Sequence, residues 1–93
     1  MRYMIVEIHK TSMLVPSIIY SEIDSEHYEV RKIEIFSNGH TGFATEILEF
    51  GGTGLSDKPI PSVESINETP GFYAKELKHS EFEDAWSKYT KQL

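Results

Sequence analysis

At 93 residues, 39% of them hydrophobic and none of them cysteine, the chain has room for one buried core and no means of stapling it. The missing cysteines exclude disulfide frameworks, thiolate zinc sites and cysteine nucleophiles together, and suit a reducing, cytoplasmic setting. Fifteen acids against nine bases give a net charge of −6, a sign that repels nucleic-acid phosphates and anionic membranes and favours a basic protein on encounter.

Residues 3–9 alternate. Met4, Val6 and Ile8 point to one side and Tyr3, Ile5 and Glu7 to the other, which predicts a strand apolar on both faces at its start, as interior strands are. The apolar stretch at residues 3–6 is too short for a signal-peptide core, and no run approaches the roughly 20 apolar residues of a bilayer span. Pro16, lacking an N–H, fits the start of a second strand over residues 18–23 that is expected to pair antiparallel with the first. Residues 29–37 and 40–46 flank Asn38-Gly39, whose tolerance of positive φ predicts a two-residue hairpin turn. Val30 breaks the phase shared by Ile33 and Ile35, which places a bulge near Arg31-Lys32.

Gly51, Gly52, Gly54, Pro59 and Pro61 then predict a loop of about a dozen residues, long for so small a chain and therefore a candidate for function. Ser62 is a suitable N-cap for a short helix over residues 62–68, stopped by Thr69-Pro70-Gly71, with a short extended segment over residues 73–77. The last helix is expected to start at Ser80 with Glu83 as its capping-box partner. Phe82, Ala85, Trp86, Tyr89 and Leu93 form one apolar stripe along it, with Trp86 as the expected core anchor. Hairpin signals and short connections dominate. The expected fold is therefore a single α+β domain over residues 1–93, an antiparallel sheet of about four strands with the C-terminal helix packed on one face.

Chemistry-bearing patterns are sparse. His9, His27, His40 and His79 stand too far apart for the three- or four-residue spacing of paired metal ligands on a helix, so no metal is expected. Gly51-Gly52-Thr53-Gly54 lacks the Lys-Ser/Thr pair of a phosphate-cradling loop and the spaced glycines of a dinucleotide fingerprint, so no cofactor is expected. No nucleophile elbow is present, and no catalytic residue is assigned; the expectation is a binding protein rather than an enzyme. The feature that stands out is Glu22, Asp24, Glu26 and Glu29, four acids with no base among residues 22–29, accompanied by Tyr20 and Tyr28. Such a segment can steer a cationic partner by charge and anchor it by its rings; its plainer reading is a solvated loop with the tyrosines turned inward.

Several pieces of the chain, in order, resemble a family pattern: residues 20–24 (Tyr-Ser-Glu-Ile-Asp), residues 28–36, Gly39 with Gly42-Phe43-Ala44, Gly51-Gly52-Thr53, Pro59-Ile60-Pro61, and Phe82-Glu83 with Trp86. On these the chain resembles an uncharacterised bacterial family of small single-domain proteins, a domain of unknown function. In size and charge such proteins are similar to the immunity proteins encoded beside contact-dependent or polymorphic toxins. That likeness implies a partner, a basic toxin domain of nuclease type neutralised by direct binding, with no direct contact to nucleic acid or membrane. The alternative is a homo-oligomerising regulatory or structural module.

Overall fold

The computed structural model describes residues 1–10, 12 and 14–91. Leu93, the expected end of the helical stripe, lies outside the described residues. In chain order the elements are β1 (Arg2–Ile8), β2 (Ile18–Ile23), β3 (Glu29–Ile35), β4 (Thr41–Thr45), β5 (Leu48–Phe50), α1 (Val63–Asn67), β6 (Phe72–Glu76) and α2 (His79–Tyr89). The strands form one antiparallel sheet in the order β5-β4-β3-β2-β1-β6. The sheet is thus six-stranded rather than four-stranded. Both additional strands are its edges: β5 has three residues, all exposed, and β6 alternates around a single buried residue, Ala74, so neither carries the period-two apolar signal of an interior strand.

The first five strands run as a meander, and the segment from residue 51 to residue 71 then crosses one whole face of the sheet to place β6 beside β1. Two apolar layers result. On the crossing-segment face, Met4, Val6, Ile8, Ile23 and Ala74 are buried under Ile60 and the α1 residues Val63 and Ile66. On the other face Ile33 and Phe43 pack with Ala85 of α2, flanked by Tyr20, Ile35, Trp86 and Tyr89.

Three local expectations shift. The β3–β4 connection is longer than a two-residue turn: Phe36 N–H donates to His40 O at 2.9 Å, Gly39 N–H returns to Phe36 O at 2.9 Å, and only Gly39 takes a positive φ, 87°. Asn38 contributes through its side chain, whose Oδ1 accepts from His40 N–H at 2.9 Å. The bulge lies at Val30, since Glu22 pairs with Arg31 while Ile23 pairs with Glu29. Helix α2 is N-capped at Lys78 instead of Ser80, with Lys78 N–H donating to Glu81 Oε1 at 2.8 Å, so Glu81 fills the role expected of Glu83. The short helix does start at Ser62 as expected, its hydroxyl accepting from Ser65 N–H at 3.1 Å.

Phe82, at 0% exposure, is the fully buried aromatic of α2, whereas Trp86 is half-buried and meets the Phe43 ring edge-on at 5.8 Å. Trp86 therefore borders the core that Phe82 anchors.

Candidate binding surface at one end of the sheet

The six residues expected to meet a partner are divided by the fold. Glu22 is 8% exposed on the helix face, where Arg31 grips it with two bonds, Nε to Oε1 at 2.6 Å and Nη2 to Oε2 at 3.1 Å. Glu29 is 5% exposed and faces the other way, because the Val30 bulge returns it to the side occupied by Ser21 and Lys32. There it accepts from Ser21 Oγ at 2.8 Å and from Ser56 N–H at 2.8 Å, and its Oε1 lies 3.2 Å from Lys32 Nζ. Tyr20 is half-buried against Tyr89, their rings 6.1 Å apart, and burial, then the neighbouring Tyr89 and Glu7, raises its hydroxyl above the ordinary tyrosine pKa.

Asp24 shapes the turn between β2 and β3. Its Oδ1 accepts from Glu26 N–H at 2.9 Å and Tyr28 N–H at 3.0 Å, and His27 closes the turn with a positive φ of 74°. Only Glu26 and Tyr28 of the six are exposed. Glu22 thus gains Arg31 from the paired strand, and Glu29 gains Lys32 three residues on along its own strand. The signal was present in the register: antiparallel pairing sets Glu22 directly opposite Arg31.

Glu26 and Tyr28, in the turn between β2 and β3, nevertheless stand at the end of the sheet where two other segments gather, the N-terminus and the turn between β4 and β5. An open concavity of about 530 Å³ forms among Met1, Val30 and Ile47, with Glu22, Arg31 and Glu46 around them. Ile47 is 96% exposed and Met1 70% exposed, and Glu46 is exposed and makes no ion pair among the described residues. Sequence reasoning missed Glu46 and Ile47 because residues 40–46 read as one strand and β5 carries no periodic signal.

The sequence model of a protein family described as Domain of unknown function (DUF6881) matches residues 2–91. The chain belongs to this family. No curated protein and no solved structure matches it.

In this DUF6881 chain Arg31 of the concavity is already engaged. Arg31 also reaches Glu83 of α2, through Nη1 to Oε1 at 3.3 Å and through Nη2 to Oε2, and its guanidinium lies over the rings of Phe82 at 4.9 Å and Trp86 at 5.0 Å. Hydrogen bonding to Glu22, opposed by burial and assisted by Glu83, holds Arg31 above the ordinary arginine pKa. The hydrogen bond from Arg31, assisted by His79 Nε2 at 2.9 Å, draws Glu83 below the usual carboxylate range. Burial, then Glu22, raises the Tyr3 hydroxyl, whose ring stacks on His79 at 4.9 Å.

With its donors committed to two carboxylates, Arg31 has little left to offer an anion, and the exposed Glu46 carboxylate stands beside it. The surface suits a cationic side chain whose aliphatic stem lies on Met1, Val30 and Ile47. Among the described residues no group of three or more His, Cys, Asp or Glu side chains could hold a metal ion, and no helix is long and apolar enough to cross a membrane.

Proposed function

We propose that this chain is a non-catalytic binding module that docks a basic protein through the acidic end of its sheet. The observation that carries the reading is the concavity itself: exposed Ile47 and Met1 supply area that a partner would cover, while Glu46 on its rim and Glu26 in the neighbouring turn offer exposed carboxylates at the same end of the sheet. A nuclease toxin domain, basic because it grips phosphates, is the class of partner that the net charge of −6 favours, and an immunity-type inhibitor needs no catalytic group of its own.

The test uses a basic protein co-purified from the native host and association kinetics at low and high salt. Reversing Glu26 and Glu46 to Lys should slow association about tenfold or more at low salt, with a smaller effect at high salt. Ile47→Ala should instead speed dissociation, by roughly thirtyfold if the side chain is a hot spot of about 2 kcal/mol. Unchanged rates in both variants would leave this end of the sheet as plain solvated surface and overturn the reading.

A second reading, homo-oligomerisation, is favoured by the unequal edges of the sheet. At β6 the Asn67 side chain covers Ala74, accepting from its N–H at 2.6 Å and donating to its carbonyl at 2.9 Å, whereas β5 presents exposed Leu48 and Phe50. A mass that rises with concentration, and falls back on Phe50→Lys, would support it.

A further inference from the structure

The opposite face of the sheet holds a second cavity, of about 440 Å³, between the strands and the crossing segment with α1. Its volume falls in the range of small-molecule pockets, roughly 300–1,000 Å³. Most of its wall is apolar, with Met4, Val6, Ile8, Ile19, Ile66 and Phe72 in it. The polar lining is of two kinds. Ser65 of α1 and Thr69 just beyond it are exposed and bring uncharged hydroxyls. Ser21, Glu29, Lys32 and Ser56, deeper under the crossing segment, bring one negative and one positive charge.

Those two charges cancel each other. Glu29 Oε1 lies 3.2 Å from Lys32 Nζ, and Glu29 also accepts from Ser21 Oγ and from Ser56 N–H, each at 2.8 Å. Three of the about four lone-pair sites of the carboxylate are then filled, and one remains. Lys32 donates to Glu29 and, at 3.3 Å, to the Gly54 carbonyl; Glu34, at 4.0 Å, is beyond hydrogen-bond reach, so one donor of the ammonium remains. Arg2, on the same face of β1 as Met4, does not upset the balance, because it is not part of the wall: its Nη1 meets His27 Nδ1 of the turn between β2 and β3 at 3.4 Å, and its Nε and Nη2 are buried away from the cavity lining.

The spare capacity of the charged pair is thus one donor beside one acceptor, with no net charge. An ammonium head would use the acceptor and be repelled by Lys32; a carboxylate head would use the donor and be repelled by Glu29. Either would also leave water without an uncompensated counter-charge to replace it. A hydroxyl or amide can donate to Glu29 and accept from Lys32 at no such cost. We infer that this cavity is a binding site for a small neutral molecule, an apolar body carrying one group that both donates and accepts hydrogen bonds, as in a medium-chain alcohol or amide. The site lies on the face away from α2 and does not depend on a protein partner.

Octanol, octylamine, octanoate and propanol serve as probes at pH 7, with affinity measured by calorimetry and location by amide and methyl chemical shifts of the full chain. Octanol should bind one site saturably and shift Val6, Ile8, Ile19 and Phe72. Burial contributes roughly fourfold per methylene, so propanol should bind at least thirtyfold more weakly. Octylamine and octanoate, with the same tail and opposite charges, should both bind at least tenfold more weakly than octanol. Glu29→Gln removes one side of the balance and leaves Lys32 in excess, so octanoate should gain at least tenfold relative to octanol. Because Glu29 also holds Lys32, Ile19→Trp provides an independent variant: it fills the apolar part, leaves the charged pair in place, and should abolish octanol binding with the circular-dichroism spectrum retained. Either charged probe binding as tightly as octanol, octanol shifts outside the cavity, or a folded Ile19→Trp that binds unchanged would each overturn the assignment.

Discussion

Arg31 and Lys32 are neighbours on β3, and because successive strand residues point to opposite faces they hold the two sides of the molecule in different ways. Each cation sits between two carboxylates: Arg31 between Glu22 and Glu83, Lys32 between Glu29 and Glu34. On the helix side the planar guanidinium takes Glu22 with two parallel bonds and lies against Phe82 and Trp86, so it fixes the orientation of α2 as well as its distance. On the other side the compact ammonium draws together Glu29 and the Gly54 carbonyl, tethering a loop without dictating its angle. The crossing segment is positioned by further short-range fits. Thr53, buried, donates to Glu34 Oε1 at 2.8 Å, and a Cβ at Gly42 would come within 2.1 Å of its hydroxyl. The difference teaches that a regular element is held by directional chemistry and an irregular one by several small closures.

The loop side carries the deeper charge, so breaking it should cost more. Lys32→Met removes the cation from a Glu29 side chain that is only 2% exposed, and should destabilise by about 3–5 kcal/mol in denaturant unfolding. Adding Glu29→Gln should recover part of that loss, since the stranded charge goes with it. A cost below about 1 kcal/mol for Lys32→Met would mean that the crossing segment yields and lets water reach Glu29. On the helix side Arg31→Lys keeps the charge but loses the fork and the stacking, and should cost about 1–2 kcal/mol with a changed near-ultraviolet signal from Trp86. An unaltered Trp86 signal would show that charge alone suffices to seat α2.

Much of this arrangement could be read from the residues in advance, and the misses have physical causes. The alternation of β1, its antiparallel pairing with β2 and the Ser62 cap rest on local pattern, and they appear in the fold. Of the two edge strands, β5 escaped because it is exposed throughout, whereas β6 was expected as a short extended segment over residues 73–77 but its place in the sheet depends on its partner β1 and on the Asn67 side chain. The candidate surface was half legible. Glu26 and Tyr28 are open to solvent, but compensation of Glu22 and Glu29 depends on strand register and on one unpaired residue, Val30. A bulge inverts every face beyond it, so no count of acids along the chain could assign them. The cavity was invisible for a similar reason, since it is enclosed by α1 and the crossing segment, and their path across the sheet is tertiary.

The smallest expected effect sharpens the helix side and concerns Glu83. Its folded-state pKa is lowered, first by the hydrogen bond from Arg31 and then by His79, so its contribution is fully present above the unfolded glutamate value of about 4.3 and is lost as the pH falls through the lower folded value. Glu83→Gln removes that dependence. The stability difference between the two proteins should therefore shrink toward zero as the pH falls below about 4.3 and through the lower folded value. Its size should stay below about 1 kcal/mol, because the side chain is 41% exposed and its ion pair is screened by water and salt. Measuring both proteins side by side cancels the titration of the other carboxylates, provided those do not contact Glu83. A difference that grew as the pH fell below about 4.3 would have the wrong sign for a carboxylate stabilised in its charged form, and would show that the Arg31 bond does not favour the charged form of Glu83.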